Sequence, residues 1–94
     1  MACTDSSEVP FEVQASRCID WGVLIDAFLV NAAPVGERFV ATVYSDRSGV
    51  LLDGMTVVTP PLRSVTMNQG FEMLRSVSGA DHYVVVTRLS TGLS

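Results

Sequence analysis

The chain has 94 residues, enough for one hydrophobic core and too few for a second domain. Its hydrophobic content of 48% and mean hydropathy of +0.36 leave apolar surface for an interface. All six basic residues are arginine, scattered among ten carboxylates at a net charge of −4, so the contiguous basic stripe needed for nonspecific DNA or RNA binding is missing.

Residues 1–8 are small, polar and acidic and read as a flexible tail. No charged n-region followed by an apolar h-region opens the chain, which places it in the cytoplasm as an expectation. Cys3 and Cys18 fit neither a zinc ribbon nor a redox Cys-x-x-Cys, and in a reducing cytosol two free thiols are expected. From Glu8 to Arg17, the alternation of Val9, Phe11 and Val13 with polar residues suggests an extended edge segment that tolerates Pro10.

Cys18 to Val30 fits two periods. Trp21, Leu24, Ile25 and Phe28 would line a helical face, whereas Trp21, Val23, Ile25 and Ala27 would line a strand face. Gly22 penalises a helix by about 1 kcal/mol, which favours a long strand bent near that glycine. The apolar run from Val23 to Val30 is interrupted by Asp26 and is far short of a membrane span.

Asn31 to Gly36 reads as a loop punctuated by Pro34 and Gly36. Glu37 to Tyr44 is a strand with Phe39, Ala41 and Val43 on one face, and Ser45 to Gly49 is a turn opened by Asp46. Val50 to Leu52 reads as a short return strand. Asp53-Gly54 then makes a tight connection to a strand over Met55 to Thr59, which Pro60-Pro61 must end. Arg63 to Met67 and Phe71 to Val77 flank a hairpin turn at Asn68-Gln69-Gly70. Ser78 to Asp81 leads into a last strand, Tyr83 to Leu89, and residues 90–94 read as a second flexible tail. The expected fold is mostly β: a small antiparallel barrel or sandwich of five to seven short strands, with room for one short helix in the N-terminal third.

Candidate chemistry is sparse. His82 is the sole histidine; as a general base it would need Cys18 or Ser78 as nucleophile, and no spacing ties either to it. In an extended segment Asp81 and His82 point to opposite faces, which argues against a dyad and for a non-enzymatic protein. Asp46, Asp53 and Asp81 lie in turns, where capping explains each, and the alternating acidic spacing of a calcium loop is missing, so no metal or cofactor is expected. Trp21, Tyr44, Phe71 and Tyr83 read as core aromatics, with Tyr44 and Phe71 also suited to anchor a protein interface.

The order of Trp21, Val43-Tyr44-Ser45-Asp46, Asp53-Gly54-Met55-Thr56-Val57-Val58-Thr59-Pro60-Pro61 and Ser78-Gly79-Ala80-Asp81-His82-Tyr83-Val84-Val85 resembles a layout of short phage and prophage proteins of the anti-CRISPR, anti-defence type. The resemblance covers about two-thirds of the chain and rests on turns and strands; His82 and the stretch Met67 to Gln69 depart from it. It implies a stoichiometric inhibitor of a bacterial defence nucleoprotein in the host cytoplasm. On that reading Asp46, Asp53 and Asp81 meet a basic protein surface, with Tyr44 or Phe71 as apolar anchors, and neither nucleic acid nor membrane is bound directly. The alternative is a homodimeric structural or accessory phage protein whose apolar edge is covered by its own copy.

Overall fold

The computed structural model describes residues 10–89; both expected tails and Cys3 lie outside them. A short helix, α1 (Phe11–Arg17), precedes six strands: β1 (Ala27–Val35), β2 (Arg38–Tyr44), β3 (Thr56–Val58), β4 (Leu62–Asn68), β5 (Phe71–Ser76) and β6 (His82–Val85). They form a single open sheet in the order β3-β2-β1-β6-β5-β4. Two antiparallel meanders, β1-β2-β3 and β4-β5-β6, are joined where β1 runs parallel to β6. The mostly-β expectation therefore holds, but the sheet is mixed and does not close into a barrel. Among the described residues no helix is long and apolar enough to cross a membrane.

The expected edge strand before residue 18 is instead α1. Pro10 sits at its N-cap with φ −55° and ψ 147°, a conformation its ring favours, and its carbonyl accepts the Val13 and Gln14 N–H groups at 3.0 and 3.2 Å. Glu12 in the first turn and Arg17 in the last complement the helix dipole. Val13 and Ser16, one turn apart, are the residues it buries, and the Ser16 hydroxyl donates to the Val13 carbonyl at 2.9 Å.

The expected long strand also fails, because residues 18–26 are irregular and pairing begins only at Ala27. Gly22 (φ +79°) donates its N–H to the Asp20 carboxylate at 3.0 Å, an Asx turn that replaces both helix and strand. Cys18, the C-cap of α1, is disulfide-bonded, contrary to the expected free thiol.

The expected loop over residues 31–36 is the second half of β1. A register shift between Val30 and Ala33, with Asn31 at φ +55°, absorbs the irregularity, and the hairpin then continues to Val35↔Arg38 around a two-residue turn. Pro34, opposite Phe39, directs its nitrogen away from β2 towards a side of β1 where the β6 ladder has ended, so no backbone bond is lost. Val50 to Leu52 forms no strand, and the last strand ends at Val85. Residues 86–89 nevertheless follow β1 past its bulge, through Val86 N–H to Leu29 O at 2.8 Å and Ala32 N–H to Thr87 O at 3.0 Å.

Both faces of the sheet are covered. On one, Leu29, Phe39, Ala41, Val43, Leu62, Leu74 and Val85 pack together. That cluster joins residues from both meanders because the sheet curls: Pro60-Pro61 carries the chain from β3 across to β4, and Leu62 N–H reaches Glu37 O at 2.8 Å. On the other face Phe28, Met73, Val84 and Val86 pack under Val13 of α1 and Trp21, whose indole N–H donates to Ser16 O at 3.1 Å.

Candidate functional site

At one end of the curled face the starts of β1 and β6 and the β2–β3 connection enclose a pocket of about 190 Å³. Ala27, Val43, Leu51 and Val57 supply its apolar wall; Asp26, Asp46, Asp81 and Tyr83 supply its polar groups.

Asp26 holds the three pieces together. One of its carboxylate oxygens accepts the His82 backbone N–H at 2.8 Å, the other faces the Arg47 guanidinium at 3.1 Å, and its own backbone bonds His82 O and Arg47 N–H at 2.8 and 2.7 Å. The sequence did carry a signal, a carboxylate inside the apolar run from Val23 to Val30, since a half-buried charge there requires partners. Asp46 caps its own loop, accepting the Ser48 hydroxyl at 2.7 Å and the Leu51 N–H at 2.9 Å. Those bonds, the Leu51 N–H foremost, favour the charged form and hold the Asp46 pKa below its ordinary value.

Tyr83 stands on the same face as Asp81, two residues along β6. Burial, followed by the charges of Asp81, Asp26 and Asp46, raises its pKa, so the phenol stays protonated as a hydrogen-bond donor among anions. The result is a wall of aliphatic carbons topped by carboxylates, which suits the stem and head of an arginine or lysine side chain.

Of the residues singled out from the sequence, Asp46 and Asp81 meet in this pocket. Asp53 is not among the lining residues and is an exposed turn residue, accepting the Ser45 N–H at 2.8 Å. Tyr44 and Phe71 lie elsewhere, half-buried against the core of the opposite face, so they do not flank the acids. Val58, which lines the pocket and is exposed, takes the apolar rim position instead, with Val50, Leu52 and Met55 exposed along the same connection. The sequence reading missed Asp26, Tyr83 and Val58 as site residues.

His82 points to the face opposite Asp81 and Tyr83, and the Ser78 hydroxyl hydrogen-bonds the Ser76 hydroxyl at 3.0 Å. Cys18, being disulfide-bonded, is no thiolate. Among the described residues no group of three or more His, Cys, Asp and Glu side chains could hold a metal ion. Comparison of the chain with family models, curated proteins and solved structures finds no match.

Proposed function

We propose that this chain is a small, non-enzymatic protein-binding module that captures a basic side chain of its partner in the Asp26, Asp46, Asp81 and Tyr83 pocket. The observation that carries the reading is the convergence of three carboxylates from separate segments on one apolar-walled pocket. Capping accounts for Asp46 and strand pairing for Asp26, but no bond within the fold uses the Asp81 carboxylate among the described residues. A cationic side chain seated there would bury its stem on Val43 and Leu51 and exchange water for charge-assisted bonds, while Val58 and its exposed apolar neighbours would surround it as a water-excluding rim.

A stoichiometric inhibitor of a bacterial defence nucleoprotein, working in the host cytoplasm, would use such a surface, because nucleic-acid grooves are lined with arginine and lysine. The Cys18 disulfide belongs to α1, on the other face of the sheet, and a reducing cytoplasm would open it without touching the pocket. Capture of a partner from bacterial lysate by the tagged chain tests the reading. The expected result is capture that survives dithiothreitol and is lost in Asp81→Lys while the folded spectrum is kept. Equal capture of the same partner by folded Asp81→Lys overturns it.

A further inference from the structure

The face of the sheet opposite the acidic pocket carries charge of the other sign. Arg63 on β4 stands directly opposite Arg75 on β5, and Arg75 directly opposite His82 on β6, so the three side chains form one row. Both arginines are exposed. Among the described residues neither has an ion-pair or hydrogen-bond partner, in contrast to Arg47 on Asp26 and Arg88 on Glu72. Like charges directly opposite on neighbouring strands are destabilising. In a chain with ten carboxylates, the fold places none of those described against this pair.

The row runs out to a free sheet edge. β4 is the last strand of the sheet and pairs only with β5; beyond Leu62, its outer side has no backbone partner among the described residues. Val65 and Met67 on the same strand are exposed. An edge of this kind accepts another extended chain by continuing the ladder.

We infer that the β4 edge is a binding site for an acidic peptide segment in extended conformation, one of whose carboxylates lies opposite Arg63 and bridges it to Arg75. Backbone pairing supplies the docking and the two guanidinium forks supply the selectivity, since each matches the geometry of a carboxylate. Charge decides against a second copy as occupant: β4 reads Leu62-Arg63-Ser64-Val65-Thr66-Met67-Asn68, so β4 paired on β4 offers Arg63 no acid in any register. The site is independent of the acidic pocket, lies on the other face, and would give the module a second partner contact of opposite polarity.

The test is fluorescence anisotropy with a labelled extended peptide of alternating glutamate and threonine, together with amide exchange on the intact chain. The expected result is saturable binding that falls about tenfold in Arg63→Glu and in Arg75→Glu, stays within about twofold in Arg17→Glu, and slows exchange along β4. Arg63→Gln and Arg75→Gln, which remove charge without reversing it, should give an intermediate loss. The inference is overturned by wild-type affinity in the folded arginine variants, by equal binding of the peptide with glutamine in place of glutamate, or by tighter binding of a thymidine oligonucleotide. It is also overturned by β4 protection that grows with protein concentration in the absence of peptide, which would assign the edge to a second copy.

Discussion

Asp26 illustrates how much a single carboxylate organises here. Replacing it with alanine strips the His82 N–H of its acceptor at a half-buried position, and that loss should cost about 2 kcal/mol in urea unfolding. Asp26→Asn keeps one acceptor oxygen and should recover part of it, whereas Arg47→Ala, at an exposed position, should cost less than about 1 kcal/mol. If the arginine variant proved the more damaging, the ion pair and not the backbone clasp would be what holds the loop. Two other residues make pH-dependent predictions of opposite limb. The folded-state pKa of Asp46 lies below its ordinary 3.8, so its contribution is present above that pH and is lost as pH falls through the lower folded value. Asp46→Asn should therefore flatten the acid limb of stability against pH. The folded pKa of Tyr83 lies above the ordinary 10.0, so its contribution is complete below that pH and is lost as pH rises towards the folded value. Tyr83→Phe should remove that alkaline loss, and ultraviolet titration should show the Tyr83 phenol ionising above its ordinary pH. The sequence made Asp46 and Asp81 legible because turns advertise their carboxylates; Asp26 stayed hidden because its partners lie 21 and 56 residues away, and Tyr83 because its acidic surroundings come only with the pocket.

At the scale of elements, local turn chemistry was legible and strand ends were not. The β4–β5 hairpin closes within the expected Asn68-Gln69-Gly70 turn, through Gln69 at φ +56° and Gly70 at φ +87°, the left-handed pair that a two-residue hairpin turn uses. Gln69→Asn, a residue that tolerates this conformation better, should stabilise the chain by about 0.5 kcal/mol. Gly70→Ala should destabilise it by about 1 kcal/mol; a methyl group there meets nothing within 4 Å, so the cost is backbone strain alone. Thermal midpoints of the two variants moving in opposite directions would check both. The N-terminal misreading has an equally local cause. Val13 fits a period of two and a helical turn alike, and the alternation counted Phe11 as inward although it is 77% exposed in α1. Asp20-Trp21-Gly22 held an Asx-turn signal that the apolar run around it obscured. Pro34 and Gly36 suggested a loop because proline stops a ladder only on the side its nitrogen faces, and that side is not written in the sequence.

The whole molecule depends on the pairing that sequence patterns reveal least. Each meander follows from runs and turns read in order, but the parallel contact between β1 and β6 joins segments more than fifty residues apart and is the strand ladder that unites the halves of the sheet among the described residues. Leu29 of β1 and Val84 of β6 sit at this seam, both fully buried and facing opposite layers: Leu29 the curled core, Val84 the core under α1. Because both layers share the same backbone ladder, damage to one should be felt in the other. Leu29→Ala should cost about 3 kcal/mol, within the range for a buried leucine whose cavity only partly collapses. Trp21, the chain's single tryptophan, reports the opposite layer. In Leu29→Ala its fluorescence should unfold at the same lowered urea midpoint as the far-ultraviolet signal of the sheet. A tryptophan midpoint left at the wild-type value while the sheet signal moved would mean that the helix-covered layer folds without the curled one. In that case the acidic pocket and the Arg63–Arg75 edge would rest on separately stable supports instead of one continuous sheet.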